Sequence, residues 1–116
     1  MSDFKMVSKE LGQGIVLVKI SGYIDAHTFE DLENEIQSKF SAKLFKIIVD
    51  LSDVPYISSA GAGVFIGAFP QAQENDGSIV LLNPSKNVLD VFELLGLTEI
   101  FTISEDLESA KKVFSE

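Results

Sequence analysis

The chain has no cysteine, a single histidine and only three prolines among its 116 residues. Without cysteine there is neither a disulfide framework nor a thiolate metal site, and the composition fits a reducing compartment. The prolines are too few and scattered for a low-complexity linker. The lone imidazole, His27, lies beside Asp25 near a predicted helix start, where it reads as a surface or capping neighbour rather than a catalytic base. No Gly-x-Ser-x-Gly elbow surrounds Ser58 or Ser59. Gly61, Gly63 and Gly67 lack the lysine and hydroxyl of a Walker loop. Gly61 and Gly63 make only part of a dinucleotide fingerprint, in a chain too short for a two-lobed cofactor domain. Scattered surface acids do not make a metal cluster. The expectation is a protein without enzymatic activity, cofactor or metal.

Long apolar runs are missing as well. No stretch approaches the roughly 18 apolar residues of a membrane span, and Met1 leads into Ser2, Asp3 and Phe4 without a basic segment followed by an apolar one. The expectation is a chain neither exported nor inserted in a membrane, hence cytoplasmic. Positive charge is also scarce: nine basic residues face eighteen acidic ones, a formal charge of −9. Phosphates would be repelled, which argues against a nucleic-acid partner. A basic protein surface fits such a chain, although solubility alone also accounts for the acidity.

What remains is enough apolar residue, 46%, for one core and a single domain over residues 1–116. Phe4 to Leu11 and Ile15 to Ser21, around Gly12-Gln13-Gly14, predict a β-hairpin. Gly22 breaks the strand, and Asp25 to Thr28 offer N-cap chemistry for a helix. The core face of that helix is Phe29, Leu32, Ile36 and Phe40. Lys46 to Leu51 is nearly all apolar and predicts a strand covered on both sides. A helix opens near Ser58 and is expected to end or kink at Pro70. Glu74-Asn75-Asp76-Gly77 marks a turn, and Ser78 to Leu82 predicts another buried strand. Asn83-Pro84-Ser85 caps a third helix with Val88, Val91, Phe92 and Leu95 on its core face, closed by Gly96. Glu99 to Ile103 predicts a short edge strand. Ser104 is expected to cap a last helix, with Glu105 and Asp106 in its first turn and Lys111 and Lys112 in its last. The order ββαβαβαβα implies an α/β fold with a mixed, mostly parallel sheet and about four helices.

The stretch richest in chemistry is Tyr56-Ile57-Ser58-Ser59-Ala60-Gly61-Ala62-Gly63. It places two hydroxyls at a helix N-terminus, where unpaired N–H groups and the helix dipole accommodate negative charge. A phosphate added there would be tolerated. Simple capping also explains Ser58. The glycines are poor helix formers, each costing about 1 kcal/mol relative to alanine. They fit either tight packing on the sheet or the close approach of a partner.

The segment Val49-Asp50-Leu51-Ser52-Asp53-Val54-Pro55-Tyr56-Ile57-Ser58-Ser59-Ala60-Gly61-Ala62-Gly63-Val64 resembles the phosphorylation-site region of bacterial anti-sigma factor antagonists, the STAS domains. Gly22-Tyr23-Ile24-Asp25-Ala26 is similar to the family's segment before its first helix. Val88, Phe92, Leu95-Gly96-Leu97 and Ile100-Phe101 resemble its third helix and final strand. The resemblance spans essentially the whole chain. It places the family's phosphorylated serine on Ser59, the serine that often follows on Ala60, and the glycine on Gly61. The family's usual aspartate before the phosphoserine is Ser58 here, which also makes Ser58 a second candidate acceptor.

The resemblance implies a partner-switching regulator. The unphosphorylated form would bind an anti-sigma factor that is also a serine kinase and so release the sigma factor. Phosphorylation at Ser59 would end the complex, and a serine phosphatase would restore it. Asp25, Thr28, Ser58, Ser59, Ala62 and Gly63 are the candidate partner-binding residues. Two alternatives remain open at this point. One is a non-switching STAS scaffold module in a sensor or transporter assembly. The other is a small nucleotide- or phosphate-binding α/β protein using the helix start at Ser58 to Gly61.

Overall fold

The computed structural model describes residues 3–115; Met1, Ser2 and Glu116, and with them part of the expectation about the leader, lie outside it. Two antiparallel strands, β1 (Lys5–Gly12) and β2 (Ile15–Ser21), form the expected hairpin. Its corner passes through Gly12, Gln13 and Gly14, all at positive φ, a conformation glycine adopts without steric cost. Three crossovers follow: α1 (Phe29–Ser41) to β3 (Lys46–Asp53), α2 (Ser59–Glu74) to β4 (Ser78–Leu82), and α3 (Lys86–Leu94) with a 3-10 turn (Leu97–Glu99) to β5 (Thr102–Ser104). Helix α4 (Leu107–Lys112) closes the chain. The strands lie in the order β1-β2-β3-β4-β5, parallel except for the first pair. The element order and the mixed sheet match the sequence reading.

Alternation along each strand divides the interior in two. Val16, Val18 and Ile20 of β2, Ile47, Val49 and Leu51 of β3, and Ile79 and Leu81 of β4 point into a large core shared with α1, α2 and α3. The intervening Ile15, Ile48, Val80 and Leu82 point the other way and meet Ala110 of α4. Four phenylalanines tie α2 to α3 and to the segment just before β5: Phe65 lies 6.2 Å from Phe92, and Phe69 lies 5.0 Å edge-on to Phe101. Polar contacts hold α1 to β1. Ser8 donates its hydroxyl to Glu35, and Lys39 lies 3.0 Å from the same carboxylate. The Ser8 hydrogen bond is the main cause holding the Glu35 pKa below the usual carboxylate range, with Lys39 adding to it against the opposing effect of burial.

Five expectations need correction. Pro70 does not end α2, which continues to Glu74. The proline ring deprives the Ile66 carbonyl of a donor, but Ile66 and Pro70 both lie on the exposed side, where water can serve. Phe65, Ala68 and Ala72, all buried, anchor the same turns on the inside. The last strand starts at Thr102 rather than Glu99, because Gly96 at positive φ turns the chain into the 3-10 helix. Leu95 is a C-cap residue 42% exposed, not part of the core face. Ser104 ends β5; the cap of α4 is Asp106, whose carboxylate accepts the Ser109 N–H at 2.8 Å. Thr28 occupies the N-cap of α1, yet its hydroxyl makes no cap bond to the first turn.

Candidate functional site: the N-terminus of helix α2

β3 ends at Asp53, and five residues, Val54 to Ser58, carry the chain to the start of α2. Val54 and Ile57 are buried, while Pro55 and Tyr56 are exposed. Ile57 makes a parallel bridge with Ile24. The Ile24 N–H donates to the Tyr56 carbonyl at 3.1 Å, and the Ser58 N–H donates to the Ile24 carbonyl at 2.8 Å. This short extension of the sheet brings Asp25, the residue after the bridge, beside the two serines. The bridge thus joins the Asp25 and Ser58 segments at one corner of the fold.

The two serines have different tasks. Ser58 is the N-cap, in extended backbone, and its Oγ accepts the Gly61 N–H at 3.1 Å. Ser59 is the first residue of the helix and is exposed. With the cap made by Ser58, the Ser59 hydroxyl has no hydrogen bond among the described residues. The helix then presents Ala60, Gly63, Ile66, Gly67 and Pro70 to solvent, with no charged side chain before Glu74.

The turn before α1 is held by side chains. Asp25 Oδ1 accepts the His27 N–H at 2.9 Å, and the Thr28 hydroxyl donates to the Tyr23 carbonyl at 2.8 Å while accepting the Asp25 N–H at 3.0 Å. Thr28 is therefore spent on the turn and buried, at 5% exposure. Ala62 is fully buried. Neither can offer a partner much surface, so both leave the partner-facing set; Asp25 and Ser58, half-buried, and the exposed Ser59 and Gly63 remain. Sequence reasoning missed Tyr23 and Tyr56, whose exposed rings meet edge-on at 6.0 Å above the same corner. Their position two residues before Asp25 and two before Ser58 was the available signal.

An open cleft of about 580 Å³ lies alongside, lined by Tyr23, Thr28, His27, Gly22, Pro55 and three aspartates, Asp3, Asp25 and Asp53. Three carboxylates repel phosphate groups, and the cap bond from Ser58 already uses the Gly61 N–H. Both facts weigh against nucleotide binding at this helix start. Among the described residues no group of three or more His, Asp or Glu side chains is placed to hold a metal ion. No helix among them is long and apolar enough to cross a membrane.

The family model for the STAS domain matches residues 6–110. The chain belongs to the STAS domain family. Among its STAS relatives, the anti-sigma-B factor antagonist of Staphylococcus aureus is 30% identical over 91 residues, covering 78% of this chain and 84% of that protein. Two solved structures share the STAS fold. The anti-sigma factor antagonist SpoIIAA in its unphosphorylated form is 22% identical, with a TM-score of 0.82 over 97% of this chain and 98% of that one. The Bacillus cell fate determinant SpoIIAA in the phosphorylated form is 23% identical, with a TM-score of 0.73 over 94% and 99%. The named relatives support an anti-sigma factor antagonist role for this STAS domain.

Proposed function

We propose that the chain is an anti-sigma factor antagonist working by partner switching, with Ser59 as its switch. Unphosphorylated, it binds an anti-sigma factor that is also a serine kinase, and the sigma factor is released. Phosphorylation of Ser59 ends that complex, and a serine phosphatase restores it. The chain itself does no catalysis. The observation that carries this reading is the division of labour between the two serines: Ser58 caps α2, which leaves the exposed Ser59 hydroxyl uncommitted. The uncharged outer face of α2 beside it is suited to a packed protein contact. A fold neighbour known in both an unphosphorylated and a phosphorylated form supports it further.

The energetics suit a switch without internal rearrangement. A phosphoserine carries about −1.5 to −2 charge, favourable at a free helix N-terminus and unfavourable when desolvated in an interface. A penalty of about 2.8 kcal/mol lowers affinity roughly a hundredfold.

The test separates hydroxyl from charge, using a candidate anti-sigma kinase in titration calorimetry and phosphorylation assays. Ser59→Ala should bind and resist phosphorylation. Ser59→Asp should stay folded and lose about tenfold in affinity, near 1.4 kcal/mol. Ser58→Ala should lose about 1 kcal/mol of stability with the cap and still accept phosphate at Ser59. Phosphate found on Ser58 by mass spectrometry would reassign the residue. A Ser59→Asp protein that binds as tightly as the parent would replace the switch with the scaffold reading.

A further inference from the structure

The loop that leads to the switch serine is held from two sides. On one side the ties are backbone: the Ile24 N–H to Tyr56 and the Ser58 N–H to Ile24. On the other side there is one side chain. Ser85, the N-cap of α3, donates its hydroxyl to the Val54 carbonyl at 2.7 Å, across 31 positions of sequence. The same oxygen accepts the Val88 N–H at 3.4 Å. Val54 is fully buried and lies one residue past the end of β3, beyond the last residues paired with β4. A buried carbonyl without a donor is costly, and the Ser85 hydroxyl supplies the donor.

We propose that Ser85 is a positioning residue for phosphoryl transfer to Ser59. This rests on the reading of Ser59 as the acceptor. In that reaction the Ser59 oxygen attacks the γ-phosphorus of a nucleoside triphosphate held by the kinase. The new O–P bond forms as the bond to the β-phosphate oxygen breaks, the diphosphate leaves, and the serine proton passes to a base on the kinase. The rate depends on where the hydroxyl stands, since a displacement near 1 Å can cost on the order of a hundredfold. The path from Ser85 to that hydroxyl is short. The bond fixes Val54, buried Ile57 anchors the far end of the loop, and the Ser58 N–H ties the helix start to Ile24. Released from Ser85, the Val54 carbonyl loses its donor, while the loop keeps the bond from the Val54 N–H to the Leu51 carbonyl and its ties to the Gly22–Ile24 side. The start of α2 then loses its link to the start of α3. Docking draws on a wider surface and is less sensitive to this shift.

The experiment compares the full chain with Ser85→Gly and Ser85→Thr, using the candidate anti-sigma kinase of the binding test together with ATP. Glycine is tolerated as an N-cap with little loss, adds no charge and carries no donor; threonine keeps both the cap and the donor. Ser85→Gly should lower kcat about tenfold and leave KM within about twofold, and Ser85→Thr should restore the parent values. Amide exchange followed by NMR should quicken at Ser58 in Ser85→Gly and stay unchanged within α1. If the parent chain is bound but never phosphorylated, the reading of Ser59 fails and this proposal falls with it. If the parent is phosphorylated and Ser85→Gly matches its kcat, only the role given to Ser85 is overturned. It is overturned equally if kcat falls together with a general loss of exchange protection, because Ser85 would then act only through stability.

Discussion

Gly61 and Gly63 stand two residues apart in α2, yet a methyl group added to the first would lie 2.5 Å from Ile24 Cγ2 and one added to the second would meet nothing within 4 Å. Gly61 belongs to the inner face, with Ala62, Val64, Phe65, Ala68 and Ala72, all buried. Its missing side chain lets the helix start settle on Ile24 and Ile57, the two residues of the bridge at the site. Gly63 belongs to the outer face, with Ser59, Ala60, Ile66, Gly67 and Pro70. There its missing side chain gains nothing from the fold and costs helix propensity. Small residues at helical spacing thus have two meanings in one element. Inside, they are a packing requirement. Outside, they leave backbone open to whatever approaches.

The strongest way to break this contrast is Gly61→Ala. The added methyl would press on Ile24 and Ile57 side chains and on the Ile24 carbonyl, 3.0 Å away. Overpacking of this kind costs about 1–3 kcal/mol, only partly offset by alanine's helix propensity. Urea unfolding should show a net loss of about 1–2 kcal/mol, and a variant as stable as the parent would show that the inner face is not tightly packed. Gly63→Ala should act in the opposite direction, raising stability by about 0.5–1 kcal/mol. Its binding to the anti-sigma kinase should weaken by about threefold or more, or about 0.7 kcal/mol; unchanged affinity would remove the outer face from the interface.

The smallest effect is expected from a control on another helix. Glu35→Gln removes the carboxylate held by Ser8 and Lys39 without touching α2. The folded-state pKa of Glu35 is lowered, so the stabilisation it brings is full above its ordinary value of 4.5 and is lost as pH falls through the lowered folded value. The variant should be slightly less stable than the parent near neutral pH, and the two should converge as pH falls through the lowered folded-state value. A gap that widens on acidification would contradict the sign. Kinase binding should be unaltered.

Much of this was legible in the sequence because Lys46 to Leu51 is a nearly continuous apolar run, as in a strand covered on both sides, and Phe29–Ser41 carries the helical period of 3.6. The cap at Ser58 was legible for the same local reason. What escaped was tertiary. Pro70 is a helix terminator by local rules, and only the burial of Phe65, Ala68 and Ala72 around it holds α2 together. Ala62 looks like one more small residue of a docking stripe until the helix is seated on the sheet and the residue turns inward. Thr28 has the composition of a helix cap, but its hydroxyl turns back to Tyr23. The bond from the Gly61 N–H to the Ser58 hydroxyl agrees with the local reading of Ser58 as the cap.

The strands occupy the sheet in the order in which the chain supplies them. No strand has to be inserted between two that are already paired, and each loop closure joins neighbours. The chain can therefore assemble by accretion, each new strand adding to an edge as it leaves the ribosome, with a comparable closure entropy at every step. The loop that carries the switch serine acquires its anchor at Ser85 only after β4 and the start of α3 have been added, because that residue lies 31 positions beyond Val54. A nascent chain shorter than this displays Ser59 on a loop still lacking that tie, so the acceptor geometry is among the later properties to mature.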